Sequence, residues 1–184
     1  LRLKPGMTVV EAGCGWGGLA RYMARHYGVK VHSYNISREQ LAYARAEAER
    51  QGLDNLVTYV EDDYRNIEGQ YDAFVSIGML EHVGNDNYTA LSELITRSLK
   101  TNGIALLHSI GRNRPMLMNA WIEKRIFPGA YPPSIGEFME ICEHSDFSVL
   151  DVENLRLHYA QTLTHWMDNF TANQDQVTEM YDEH

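Results

Sequence analysis

The chain has 184 residues, 44% of them hydrophobic, with two cysteines and a formal charge of −9, which suits one domain with a sizeable core. That acidic balance argues against a nucleic-acid groove, which needs a basic stripe to neutralise phosphates. No run is apolar for long enough to span a bilayer and no signal-peptide pattern opens the chain. Cys14 and Cys142 suit neither a disulfide framework nor a metal knuckle, so a reducing, cytoplasmic setting without a bound metal is expected.

Six strands are predicted near residues 7–11, 29–34, 56–61, 71–77, 103–110 and 146–154, with helices between them. This βαβα rhythm implies a doubly wound, mostly parallel sheet with its ligands beyond the carboxyl ends of the strands. The first strand opens the sequence VVEAGCGWGGLA, in which Gly13, Gly15, Gly17 and Gly18 make a tight turn before helical periodicity over residues 16–26. Such a turn lets backbone approach a nucleotide, but it also serves as an ordinary strand-to-helix turn. Gly13, Gly15 and Gly18 formally satisfy GxGxxG, yet no acidic residue follows Tyr34 to hold a ribose hydroxyl, which disfavours NAD.

The second strand leaves through HSYNISREQ. Ser37 and Gln40 form a capping-box pattern for a helix over residues 38–51 that Gly52 stops, while Asn35 and Gln40 are equally placed to meet a cofactor. The third strand runs into VEDDYRNI, where Asp62, Asp63, Tyr64 and Arg65 read either as loop chemistry or as an acid and an aromatic ring placed for an adenine. After the fourth strand come Glu81 and His82, an acid/base pair or two exposed loop residues, and then Asn85 and Asn87 as helix caps. The fifth strand, GIALLHSI, contains His108, which in an apolar run is more often a satisfied core residue than a catalytic one.

Residues 112–125 are locally basic and apolar. Arg112, Arg114, Lys124 and Arg125 stand against Glu123, with Met116, Leu117, Met118, Trp121 and Ile122 interleaved. An anionic lipid surface, an acyl chain or simple packing on the sheet would each explain the pattern. Pro128, Gly129, Pro132 and Pro133 impose a rigid turn, and Ser134 with Glu137 forms a capping box for a helix over residues 134–142. Beyond the sixth strand, Tyr159, Leu163, Trp166 and Phe170 share one helical face, a stripe that usually packs in a core. Asp168, Asp175, Glu179, Asp182 and Glu183 follow with no basic residue after Trp166, so this end is not expected to face anionic lipid.

Together, GCGWGGLA, NISREQ, DYR, GMLEHVG, LLHSIG, RIFPGAYPPS and DVENLRLHYAQTLTHW resemble the successive motifs of the cyclopropane-fatty-acyl-phospholipid synthases and mycolic acid cyclopropane synthases. The resemblance implies an α/β, Rossmann-like class I methyltransferase domain over residues 1–184. Compared with the family pattern, it would lack an N-terminal helical cover and the last strand. It implies S-adenosylmethionine bound by Val9, Val10, Glu11, Ala12, Gly13, Cys14, Gly15, Trp16 and Gly17, by Asn35, Ile36, Ser37 and Gln40, and by Asp63, Tyr64 and Arg65. It further implies a bicarbonate ion held by Glu81, His108, Tyr159 and the backbone of Ile110, with Phe127 beside the substrate.

The implied reaction moves a methyl group onto the cis double bond of a lipid acyl chain, phospholipid or carrier-linked, to form a cyclopropane. The implied setting is cytoplasmic, with peripheral contact at the inner membrane face. Glu11 replaces the family's usual Asp and Asn35 a common threonine, and both changes keep polarity. Methylation of an amine nitrogen and a catalytically silent S-adenosylmethionine-binding module are the alternative readings.

Overall fold

The structure is a computed structural model that describes residues 1–145 and 147–181; Asp146, Asp182 and Glu183 lie outside them. Two compact units divide the chain, Leu1–Ser148 and Val149–His184.

The first unit is built on five parallel strands: β1 (Thr8–Ala12), β2 (Lys30–Asn35), β3 (Val57–Glu61), β4 (Tyr71–Ile77) and β5 (Leu99–His108), in the order β3-β2-β1-β4-β5. β1 is central, and its side chains alternate between two cores because a strand repeats every second residue. Val9 joins Ala20, Val31 and Leu41 under helices α1 (Gly18–Tyr27) and α2 (Arg38–Arg50). Val10 joins Phe74, Leu91, Ile95 and Ile141 under α3 (Tyr88–Ser98) and, beyond the short α4 (Ala120–Arg125), α5 (Ile135–His144). Both faces of β1 and β4 are therefore covered, as their apolar runs require, whereas no residue of β5 is buried. The chain winds outward from β1 in both directions, so the β1/β4 boundary is the switch point at which such sheets bind ligands.

Two expectations need correction. β5 begins at Leu99, directly after α3, and not near residue 103; Tyr71 pairs with Leu99 but Ala73 already pairs with Ile104, and Asn102 takes a left-handed φ of 64° in the extra residues. This irregularity hides the strand's start from any alternation pattern. The expected strand over 146–154 does not form among the described residues 147–154. That segment joins no ladder, and without a partner a strand's alternate N–H and C=O groups have nothing to bond.

The second unit consists of α6 (Arg156–Ala172) and α7 (Gln174–Tyr181). The aromatic stripe expected to be core lies on the 17-residue α6, and no α6 residue is buried.

Candidate active site

The carboxyl end of β1 turns through Gly13, Gly15 and Gly17, whose φ angles of 82°, 51° and 73° lie in the left-handed region. The Gly13 and Cys14 amides both donate to the Tyr34 carbonyl, at 3.0 and 3.1 Å, tying the turn to the end of β2. At Gly17 a Cβ would overlap the Tyr59 ring, whose hydroxyl donates to the Gly17 carbonyl at 3.0 Å. A Cβ at Gly15 would instead point into open space. Trp16 is exposed and meets Tyr43 edge to face at 5.4 Å.

Asn35 links this turn to α2. Its amide nitrogen donates to the Gly15 carbonyl at 3.2 Å and to Gln40 Oε1 at 2.8 Å, and its Oδ1 accepts from the Ser37 amide at 3.2 Å. The predicted capping box is thus only half formed. Ser37 Oγ accepts from the Gln40 amide, but the Gln40 side chain turns to Asn35, which takes over the return bond to the Ser37 amide. Val9, Val10 and Ala12 are fully buried in the sheet and Ile36 is exposed.

Glu11 is also buried, and Ser33 Oγ donates to its Oε2 at 2.7 Å. Burial pushes its carboxyl up to about 7, although the Ser33 bond and the Arg21 charge pull the other way. Burial likewise pushes the Cys14 thiol up to about 12, with the Glu11 charge adding to the rise. At the exit of β3, both Asp63 oxygens are taken by the Arg65 guanidinium at 2.8 and 2.7 Å, and Oδ1 also accepts the Arg65 amide. Asp62 Oδ1 accepts from the Asp63 amide and from Asn66. Loop chemistry therefore accounts for most acceptor atoms in this stretch. Tyr64, half-buried, packs against the second core.

A second constellation gathers at the ends of β4 and β5. Gly78 donates its amide to the His108 carbonyl at 3.0 Å, and the chain then makes a 3-10 turn, Leu80–His82. The turn sends its two polar side chains apart: Glu81 is 6% exposed and His82 lies in solvent, so they are not an acid/base pair. The Ile110 amide donates to Glu81 Oε1 at 2.6 Å, while Glu81 Oε2 is buried with no partner among the described residues. An unpaired buried carboxylate oxygen is costly unless something fills it.

His108 ends β5 opposite Ile77 and is exposed, so it is not the satisfied core histidine that the apolar run favoured. The Pro-rich turn closes over this end: Tyr131 donates its amide to the Glu81 carbonyl at 2.7 Å, and the Phe127 ring lies 6.3 Å from that of His82. Tyr159 stands in the first turn of α6, in the second unit. Sequence reasoning missed Tyr131, Asn85 and the outward reach of Glu137. The Ser134-x-x-Glu137 spacing signals a helix cap and carries no sign of bonds to Tyr131 and Asn85.

A profile of the family described as mycolic acid cyclopropane synthetase matches residues 1–184. The chain belongs to this family. Among cyclopropane synthase relatives, the cyclopropane-fatty-acyl-phospholipid synthase of Escherichia coli K12 is 42% identical over 184 residues, all of this chain and 47% of that protein. Cyclopropane mycolic acid synthase 3 of Mycobacterium tuberculosis is 32% identical, over 96% of this chain and 67% of its own length. The chain thus spans about half the length of the first curated relatives it matches. Among solved structures, the mycolic acid cyclopropane synthase CmaA1 complexed with SAH and CTAB superposes with a TM-score of 0.88 at 30% identity, covering 100% of this chain and 69% of that one. A phosphoethanolamine N-methyltransferase of Haemonchus contortus, at 23% identity and a TM-score of 0.84, shares the fold. The five-stranded sheet is accordingly the core of a class I methyltransferase fold.

Proposed function

We propose that this domain transfers the methyl group of S-adenosylmethionine to the cis double bond of a lipid acyl chain, forming a cyclopropane with bicarbonate as the base. The observation that carries the reading is Glu81, a buried carboxylate at the β4/β5 end with one oxygen bonded to Ile110 and the other unpartnered. An oxygen left bare in this way suits a small ligand that brings a donor, as bicarbonate does through its hydroxyl.

The glycine turn suits the methyl donor. Open space faces Gly15, the Glu11 carboxyl stands behind the turn, and α1 starts without a side-chain cap, leaving its first amides for a ligand. S-adenosylmethionine supplies an electrophilic methyl carbon, and the domain's task is to align an alkene with it and exclude water. Methyl transfer leaves a cation on the acyl chain. Phe127, half-exposed at 44% and edge to face with His82, presents an aromatic ring that can stabilise positive charge. Loss of a proton from the transferred methyl then closes the ring.

Bicarbonate supplies a basic oxygen for that proton. Glu81 would accept its hydroxyl and His108, at the exposed end of β5, would donate to it; Tyr159, on α6, enters only as the third side chain that the family resemblance implies. The Ile110 amide, which the family resemblance implies as a direct contact, donates to Glu81 in this structure, so it aims the carboxylate. An anionic membrane surface is the proposed source of substrate. Trp121 and Leu117 are exposed beside Arg114, Lys124 and Arg125. Arg112 is excluded from that set, because its guanidinium folds onto the Met116 and Leu117 carbonyls at 3.1 and 2.5 Å. Among the described residues no helix is long and apolar enough to cross a membrane.

The test uses the full-length enzyme carrying this domain, with S-adenosylmethionine and vesicles of unsaturated phospholipid. Mass spectrometry should find acyl chains heavier by one CH2 with the double bond gone, formed more slowly in carbon-dioxide-depleted buffer and restored by added bicarbonate. Methylation of amines with acyl chains untouched would refute the reading.

A further inference from the structure

We propose that Glu137, acting through Tyr131 and Asn85, is a positioning residue for the Glu81 carboxylate. The inference rests on the role assigned to Glu81 above. A capping box uses one oxygen of its glutamate, and here Glu137 Oε2 accepts from the Ser134 amide at 2.8 Å. The other oxygen is free of the cap. It accepts from the Tyr131 hydroxyl at 2.7 Å and from Asn85 Nδ2 at 2.9 Å, groups on two other segments.

Those two segments flank Glu81. Tyr131 donates its own amide to the Glu81 carbonyl at 2.7 Å, and Asn85 lies one turn of chain after Glu81. A closed ring results, from the Glu81 backbone through Tyr131 to Glu137, across to Asn85 and back along the chain. The 3-10 turn that carries Glu81 is only three residues long and begins, after Met79, with no side-chain cap of its own, so its orientation depends on such outside bonds. Bonds to an ionised acceptor are the stronger kind. The Ser134 amide, then the Tyr131 hydroxyl, hold the Glu137 carboxyl down at about 2, so it remains an ionised acceptor at neutral pH.

The decisive variant is Tyr131→Phe in the full-length enzyme, since it deletes one hydroxyl and leaves the capping box intact. Methyl transfer to unsaturated phospholipid vesicles, S-adenosylmethionine affinity by calorimetry and thermal midpoint are measured together. We expect kcat to fall roughly tenfold to a hundredfold, the scale of a small misplacement of a reacting group, with KM and S-adenosylmethionine affinity unchanged. Glu137→Gln, which keeps a carbonyl for the cap, should retain more activity than Glu137→Ala. Adding Tyr131→Phe to Glu81→Gln should cause no further loss, because both act on one group.

An unchanged kcat for Tyr131→Phe beside a crippled Glu81→Gln would overturn the inference and leave the proposed function standing. Losses that multiply in the double variant would also overturn it, by placing the action of Tyr131 elsewhere. Wild-type rates from Glu81→Gln itself would remove the role of Glu81 and this inference with it.

Discussion

The glycine turn after β1 and the Glu81 turn after β4 lie at the same edge of the same sheet, yet they are built differently. In the first, nearly every polar group finds its partner within residues 11–40: Gly13 and Cys14 on Tyr34, Asn35 on Gly15, Gln40 and Ser37, Glu11 on Ser33. In the second, three distant stretches meet, around residues 78–88, 108–112 and 127–137, and an oxygen of the central carboxylate is left bare. A turn whose side chains are already satisfied has shape and rigidity of its own, with only the first amides of α1 left to give. A buried acceptor kept unsatisfied stores affinity for whatever brings the missing donor, and it needs outside bonds to stay aimed.

The largest effect should come from breaking the second region alone. Glu81→Gln in the full-length enzyme should lower methyl transfer by about a hundredfold or more, the scale of losing a preorganised catalytic contact, while calorimetry finds S-adenosylmethionine binding intact. Equal loss of binding and turnover would mean that the two regions act as one.

The first region should reveal itself through pH. With its folded pKa raised to about 7 from an ordinary 4.5, Glu11 holds its proton more tightly in the folded state, so its contribution to stability falls as pH rises through that window. Ionised Glu11 then costs up to about 3 kcal/mol above pH 7. Glu11→Gln should therefore be more stable than wild type at pH 8 and nearly equal to it at pH 4, as measured by urea unfolding. His32, lowered by burial, titrates in the opposite sense in both proteins and cancels from the difference. A pH-independent difference would place the Glu11 carboxyl in water.

Gly17→Ala sharpens the same region sterically. A left-handed φ of 73° and overlap with the Tyr59 ring should together cost about 2 kcal/mol, or about 4–8 °C in Tm for a chain of this size. The smallest effect concerns the lipid-facing proposal: Lys124→Gln should weaken association with anionic vesicles by about 1 kcal/mol and reduce its salt dependence.

These regions also differ in how far they can be read from sequence. β1 to β4, α1, α2 and the glycine turn are legible because their signals are local: apolar alternation, helical spacing, and glycines where a strand meets a helix. At Ser37 the local rule is half right, since Gln40 has a choice of partners and takes Asn35. Around Glu81 the motifs name the residues but not their arrangement. Nothing in the spacing of Glu81 and His82 says that one is buried and the other exposed, or that Tyr131, fifty positions on, will bond the Glu81 backbone. The start of β5 was missed because Asn102 interrupts the alternation, and residues 147–154 look strand-like only until a partner is required.

The burial of Cys14 has a chemical consequence of its own. With the thiol pushed up to about 12, only about one molecule in a hundred thousand carries the thiolate at pH 7, and the thiolate is the form that reacts. Peroxide, disulfide exchange and alkylating agents should all pass this sulfur by while the fold is intact. On the reading proposed above, the turn that would hold a sulfonium methyl donor carries a sulfur of its own that is not available to be methylated.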